Sequence, residues 1–229
     1  MFKVAIVAAL EREVQPLVKH WHLREREHDG RRFRFFERED TVLVCGGIGG
    51  DAARRTTEAV ILLYGPNVVY SAGYAGALDP GLKAGDIVRP ARVMNTADGS
   101  SVSIAGGEGV LVSHGVVASR EQKTKLRESF AARAVDMEAA AVARAAEARG
   151  VAFGVVKVIS DEFDFEFPAT ERYVDSAGRF QETRFAMFAT LRPWLWPRVL
   201  RLAMNSRRAT RALCDQLLEL VDSESAVPQ

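Results

Sequence analysis

Short apolar runs rich in β-branched residues recur along this chain, at Lys3–Ala8, Thr41–Cys45, Asn67–Ser71, Asp86–Pro90 and Ala152–Ile159, with helical patterns between several of them. Runs this short and this continuously apolar suit strands that are covered on both faces. Strands alternating with helices then lead to an α/β fold with a mixed, mostly buried sheet. Helical periodicity predicts helices over Glu13–Lys19, with Pro16 confined to a first turn, over Asp51–Tyr64, stopped by Gly65-Pro66, and over Glu138–Arg149, closed by Gly150. A last helix is expected from near Pro197 to about Val221, leaving 223–229 as a loose tail. The stretch His28–Asp40 turns at Asp29-Gly30 and reads as an edge hairpin. Its arginines alternate with Phe33, Phe35 and Phe36, but Glu37 and Glu39 offset them, which favours a solvated edge over a nucleic-acid surface.

At 229 residues the chain suits a single domain, taken here as 1–222. A formal net charge of +1 gives no electrostatic pull toward nucleic acid or membrane. The two cysteines, Cys45 and Cys214, have neither disulfide-framework nor zinc-ligand spacing, so a reducing, cytoplasmic setting and no metal are expected. The apolar start Phe2–Leu10 carries Lys3 and stops at Glu11-Arg12-Glu13, as a buried first strand would and a signal peptide would not. The glycine-rich runs Gly46–Gly50 and Gly73–Gly76 match neither the dinucleotide fingerprint nor the phosphate-binding loop that ends in Lys-Ser/Thr. No organic cofactor is therefore expected.

Four segments carry groups able to do chemistry, and each has a plain structural explanation. Glu11 and Glu13 could simply favour the positive end of a helix dipole. The glycines could only make turns. In Val135-Asp136-Met137-Glu138-Ala139-Ala140, either carboxylate could cap the following helix and Met137 could fill core space. At the end of Val155–Glu162, Ser160 and Asp161 could begin a turn.

Taken together, the four segments resemble the nucleoside phosphorylase and nucleosidase superfamily, and within it the methylthioadenosine/S-adenosylhomocysteine nucleosidases. Ala8–Val14 is similar to that family's Gly-Ala-Met-Glu-Glu-Glu-Val pattern. Ser71–Leu78 with Lys83–Val88 resembles its Ser-Ala-Gly-Gly-Leu and Val-Gly-Asp-Ile-Val signatures, and Val135–Ala140 its Val-Glu-Met-Glu-Ala-Thr motif. Val158–Asp161 resembles its Ala-Ile-Ser-Asp motif. The resemblance implies a three-layer α/β/α sandwich with a central mixed sheet, a homodimer or higher homo-oligomer, and release of adenine from a 5'-substituted adenosine. It also implies roles: Asp161 as acid at purine N7, by a raised pKa or a shared proton; Glu138 on the ribose hydroxyls; and Glu13 on the attacking water. Met137 would pack beneath the sugar, Ala75 and Gly76 would line the site, and Ser160 would support Asp161. Val116 falls in Val112–Ala118, which lacks the family's Gly-Asp-Ala-Phe base-stacking segment; it is taken as a substrate contact.

Water is preferred to phosphate because the Gly-Asp-Pro-x-Arg loop and the arginine before the second glycine loop of the phosphorylases are replaced by Leu10-Glu11-Arg12-Glu13 and Tyr70-Ser71. The alternatives are a purine nucleoside phosphorylase and a catalytically silent nucleoside-binding protein. Two further departures are Tyr74, where the family has a small residue, and the aromatic segment 184–197. That segment reads as core in preference to a weak membrane or lipid contact through Phe185, Trp194 and Trp196. Asp136 is similar to the Val-Asp-Met-Glu motif of the hopanoid-associated branch, whose substrate carries an adenosyl group on a large lipid.

Overall fold

The computed structural model describes residues 2–166, 181 and 192–225. Strand β1 (Val4–Ala8) is buried along its whole length and forms the middle of the sheet. It pairs in parallel with β4 (Thr41–Cys45) on one side and β5 (Val68–Ala77) on the other. The far edge of β5 carries β11 (Ala152–Asp161), again parallel. All four strands run in the same direction, and the end at which they finish holds the site described below.

The remaining strands widen this frame to eleven among the described residues. A hairpin of β2 (His22–His28) and β3 (Arg31–Arg38) extends the β4 edge, with its turn at Asp29-Gly30, where both residues have positive φ. Beyond β5 lie β10 (Ala134–Asp136), β9 (Val110–Ser113), β7 (Arg92–Asn95) and β8 (Ser101–Ser103). The short β6 (Ile87–Val88) pairs antiparallel with β11. Both parallel and antiparallel pairs occur, so the sheet is mixed.

Successive β1 residues face opposite sides, and each side has its own helical layer. Val4, Ile6 and Ala8 pack with Val14 and Leu17 of α1 (Glu11–Val18) and with Leu213 and Leu217 of the long α5 (Trp196–Ser225). Ala5 and Val7 pack with Val60 and Ile61 of α2 (Gly50–Tyr64) and Val142 of α4 (Ala139–Glu147). The result is the expected α/β/α sandwich. Among the described residues no helix is long and apolar enough to cross a membrane.

Several boundaries differ from the sequence reading. Helix α1 starts at Glu11, so Pro16 sits in its interior and not in its first turn; the helix ends two residues later, which limits the hydrogen-bonding cost. Helix α5 runs to Ser225, so the expected tail is helical over its first residues, where the Ser223 hydroxyl donates to the Leu220 carbonyl. Helix α3 (Arg120–Phe130) was not anticipated. Its sequence is strongly polar, its start is set by a capping box between Ser119 and Gln122, and its buried side chains are Lys123 and Leu126. A lysine facing inward is a poor periodicity signal.

Candidate active site

The ends of β1, β5 and β11 and the start of α4 enclose a cavity of about 500 Å³. Glu13 enters it from the first turn after β1, Ala75 and Gly76 from β5, and Met137 and Glu138 from the β10–α4 junction. Ser160 and Asp161 reach it from the end of β11, and the half-exposed Val116 stands in its wall. Every site residue expected from the sequence therefore borders one space. Sheets of this kind place ligands at the carboxyl ends of their parallel strands, where the fold exposes backbone and side chains without breaking the core.

Two glycines of β5 make the close approach of the acids feasible. A Cβ on Gly73 would lie 2.8 Å from Glu13 Oε2, and Gly73 has φ of 143°, which disfavours any side chain. A Cβ on Gly76 would lie 2.8 Å from Asp161 Oδ2. The glycine run therefore does more than turn the chain: it leaves room for two carboxylates.

At the Glu13 end, three carboxylates surround one ammonium. Lys157 Nζ lies 2.8 Å from Asp136 Oδ2 and 3.9 Å from Glu138 Oε2, with the lysine almost wholly buried. Removing one partner of such a buried pair typically costs ~3–5 kcal/mol, so Lys157 is what makes this crowding of acids tolerable. Burial alone would lower the Lys157 ammonium, but Asp136, Glu138 and Glu13 raise it on balance. Glu138 is raised by burial, with Lys157 opposing. Glu13 is raised to about 8, by burial first and the charge of Glu138 second, against Lys157 and Arg12. Its Oε2 has no hydrogen-bond partner although it is buried.

The two readings of Asp136 and Glu138 separate cleanly. Asp136 serves the helix: its Oδ2 accepts from the Ala139 backbone N–H at 2.8 Å and its Oδ1 from the Ser113 hydroxyl at 2.6 Å. Glu138 makes no side-chain cap; its Oε1 accepts from the Gly49 N–H at 2.8 Å, and the residue lines the cavity.

The Asp161 end is different. Lys123 Nζ donates to Asp161 Oδ2 at 2.5 Å and to the Glu162 carbonyl at 2.7 Å, and the Ser160 hydroxyl donates to Asp161 Oδ1 at 2.8 Å. Both carboxylate oxygens thus accept from the protein itself. The lysine side chain is 1% exposed and also borders the cavity.

Opposite the sheet, the wall comes from α5, through Val199, Leu202 and Ala203. Tyr74 joins that helix to β5, its hydroxyl donating to the Ser206 carbonyl at 3.1 Å and lying 2.5 Å from Thr210 Oγ1. The small residue of the family pattern could not make this bridge. The core reading of the aromatic segment is overturned for the two tryptophans: Trp194 is 71% and Trp196 50% exposed. Phe185 lies outside the described residues.

Sequence reasoning missed Lys123, Lys157, Arg12, Arg207 and the α5 wall. Lys157 had a legible signal, a lone lysine inside Val155-Val156-Lys157-Val158-Ile159, since a buried strand tolerates a charge only when it is paired. Lys123 had none.

The model of the phosphorylase superfamily matches residues 3–109 and 108–191. A 5'-methylthioadenosine/S-adenosylhomocysteine nucleosidase of Actinobacillus succinogenes is 30% identical over 202 residues, covering 72% of this chain and 87% of that one. An aminodeoxyfutalosine nucleosidase of Campylobacter jejuni is 24% identical over 208 residues, covering 72% and 91%. The crystal structure of the Helicobacter pylori 5'-methylthioadenosine/S-adenosylhomocysteine nucleosidase superposes with a TM-score of 0.73 at 20% identity, covering 97% of this chain and 98% of that one. With the family model spanning most of its length and the same three-layer fold beneath it, this chain belongs to the phosphorylase superfamily.

Proposed function

We infer that the chain is a nucleosidase that hydrolyses the N-glycosidic bond of a 5'-substituted adenosine and releases adenine. The observation that carries this reading is a single cavity with buried carboxylates at two ends, Glu13 with Glu138 at one and Asp161 at the other. Breaking the bond builds positive charge on the ribose and negative charge on the base, so the reaction needs a carboxylate environment at the sugar and a proton at the purine. Glu138 holds the ribose hydroxyls with Met137 packed beneath, and its negative charge stabilises the cationic sugar. Glu13 takes a proton from the attacking water. Asp161 meets purine N7 and Ser160 orients it; Ala75, Gly76 and Val116 border the base.

The names of the relatives in Actinobacillus and Campylobacter support adenosine derivatives as substrates. The apolar side chains of Val199 and Leu202 suit a non-polar 5' group, either methylthioadenosine-like or adenosylhopane-like. An oligomeric cytoplasmic enzyme completes the reading. The exposed Trp194, Trp196, Leu200 and Met204 supply an apolar surface for self-association, or for a weak lipid contact.

The test is to incubate the protein with methylthioadenosine, S-adenosylhomocysteine and adenosine, with and without millimolar phosphate, and identify the sugar product by mass. Free sugar without phosphate is expected. Strict phosphate dependence with a sugar 1-phosphate would make the chain a phosphorylase, and binding without cleavage a silent nucleoside-binding protein.

A further inference from the structure

The arrangement around Asp161 raises a difficulty for the reaction just described. A carboxylate that accepts a hydrogen bond on each oxygen, one from an ammonium and one from a hydroxyl, has no proton to give to a purine. The proton available in this corner is on the other partner. Lys123 carries three N–H groups; one reaches Asp161 Oδ2 and a second the Glu162 carbonyl, and the side chain borders the cavity. Its position is built in from both directions: the capping box at Ser119 sets the start of α3, and the Lys123 backbone N–H donates to the Ser119 carbonyl at 2.8 Å in the first turn. A buried lysine is costly to keep. Leu126 already gives this polar helix an apolar contact, in a cluster with Leu78, Val112 and Val135.

We propose that Lys123 supplies the proton for the departing purine, relayed through Asp161. This rests on the nucleosidase reading above. As the C–N bond breaks, its electron pair moves onto the purine. N7 takes a proton through Asp161 Oδ2, and Asp161 takes one from the Lys123 ammonium, which becomes a neutral amine. Water adds its hydroxide to the sugar cation and gives its proton to Glu13. After the products leave, Glu13 loses that proton to solvent and the amine regains one, so the cycle closes with no net proton gained. Lys123 thus acts through Asp161 and sets the protonation state in which Asp161 works. The Ser160 hydroxyl holds the other oxygen, so that Oδ2 is the one that shuttles.

The experiment compares wild type, Lys123→Met and Lys123→Arg on two leaving groups: adenine from methylthioadenosine, and 4-nitrophenolate from the corresponding aryl riboside, which departs without protonation. Lys123→Met should lower kcat on the adenine substrate by ~10²–10³, within the usual worth of general acid catalysis, and lower it on the aryl riboside by less than about tenfold. Lys123→Arg keeps the charge beside Asp161 but does not release a proton, because a guanidinium stays protonated. It should be as slow as Lys123→Met on adenine release. It also guards against a methionine variant that fails to fold, which thermal melting would reveal. Equal losses on both leaving groups would overturn the proposal in favour of a structural lysine. A wild-type rate on methylthioadenosine for Lys123→Arg would overturn it in favour of a fixed charge. Wild-type protein that cleaves neither substrate would instead refute the nucleosidase reading, a result distinct from either variant outcome.

Discussion

The cavity has two ends, each with a buried lysine, and they are balanced in opposite ways. Around Lys157 stand three acids, Asp136, Glu138 and Glu13, so one ammonium faces an excess of carboxylates. Beside Lys123 stands Asp161 alone, a one-to-one pair completed by a hydroxyl. The first end has negative charge to spare and one carboxylate oxygen, Glu13 Oε2, without a partner. The second has a hydrogen bond on each oxygen of its carboxylate and a proton-bearing cation beside it. The difference matches the polarity of glycosidic cleavage, in which the sugar becomes cationic and the base anionic. In the proposed reaction, one end meets the cation and the other delivers the proton.

That comparison breaks most readily at the proton-delivering end. Asp161→Asn keeps the shape and the Ser160 contact but cannot pass a proton, so adenine release should fall by ~10²–10⁴ with the fold intact. Stopped assays of adenine release, with circular dichroism as the folding control, would decide; near-wild-type turnover would remove Asp161 from the reaction.

Glu13 offers the next largest effect and a sharper signature. With its pKa raised to about 8, the free enzyme holds Glu13 protonated at neutral pH, and only the ionised form can accept a proton from water. kcat/KM should rise with pH up to about 8 and then level. Glu13→Gln should cut turnover by ~10²–10³, leave ground-state binding nearly unchanged and abolish that rise. The sign for stability is opposite. An acid whose folded pKa lies above its ordinary 4.5 contributes stability that is fully present below 4.5 and is lost as pH climbs to about 8. Melting temperatures of wild type should therefore decline more across that window than those of Glu13→Gln. A flat kcat/KM profile in wild type would show that Glu13 is not the base.

The smallest effect probes the wall shared by both ends. Leu202 borders the cavity, whereas Trp194 is largely exposed and does not. Leu202→Ala should weaken methylthioadenosine relative to adenosine by about 1 kcal/mol or more, the scale of burying one or two methylenes. Trp194→Ala should change the two equally and by less. KM or inhibitor-displacement ratios for the pair would show whether α5 or the exposed tryptophan meets the 5' group.

What the sequence determined by itself was whatever depends on neighbours along the chain. The β-branched runs became β1, β4, β5 and β11, and Asp29-Gly30 made its hairpin, because strand burial and turn chemistry are written within a few residues. The candidate acids were legible for the same reason, as each lies at or within a few residues of the carboxyl end of an apolar strand. Tertiary structure decided which carboxylate caps α4, since Asp136 and Glu138 are both suitable at that spacing. It also decided the outer wall, which α5 supplies from far along the chain through the Tyr74 bridge. Above all it decided the pairing of Lys123 with Asp161, thirty-eight residues apart. A charge in a polar helix looks solvated until packing turns it inward, and whether a buried ion is a penalty or a reagent depends on a partner that only the fold brings within reach.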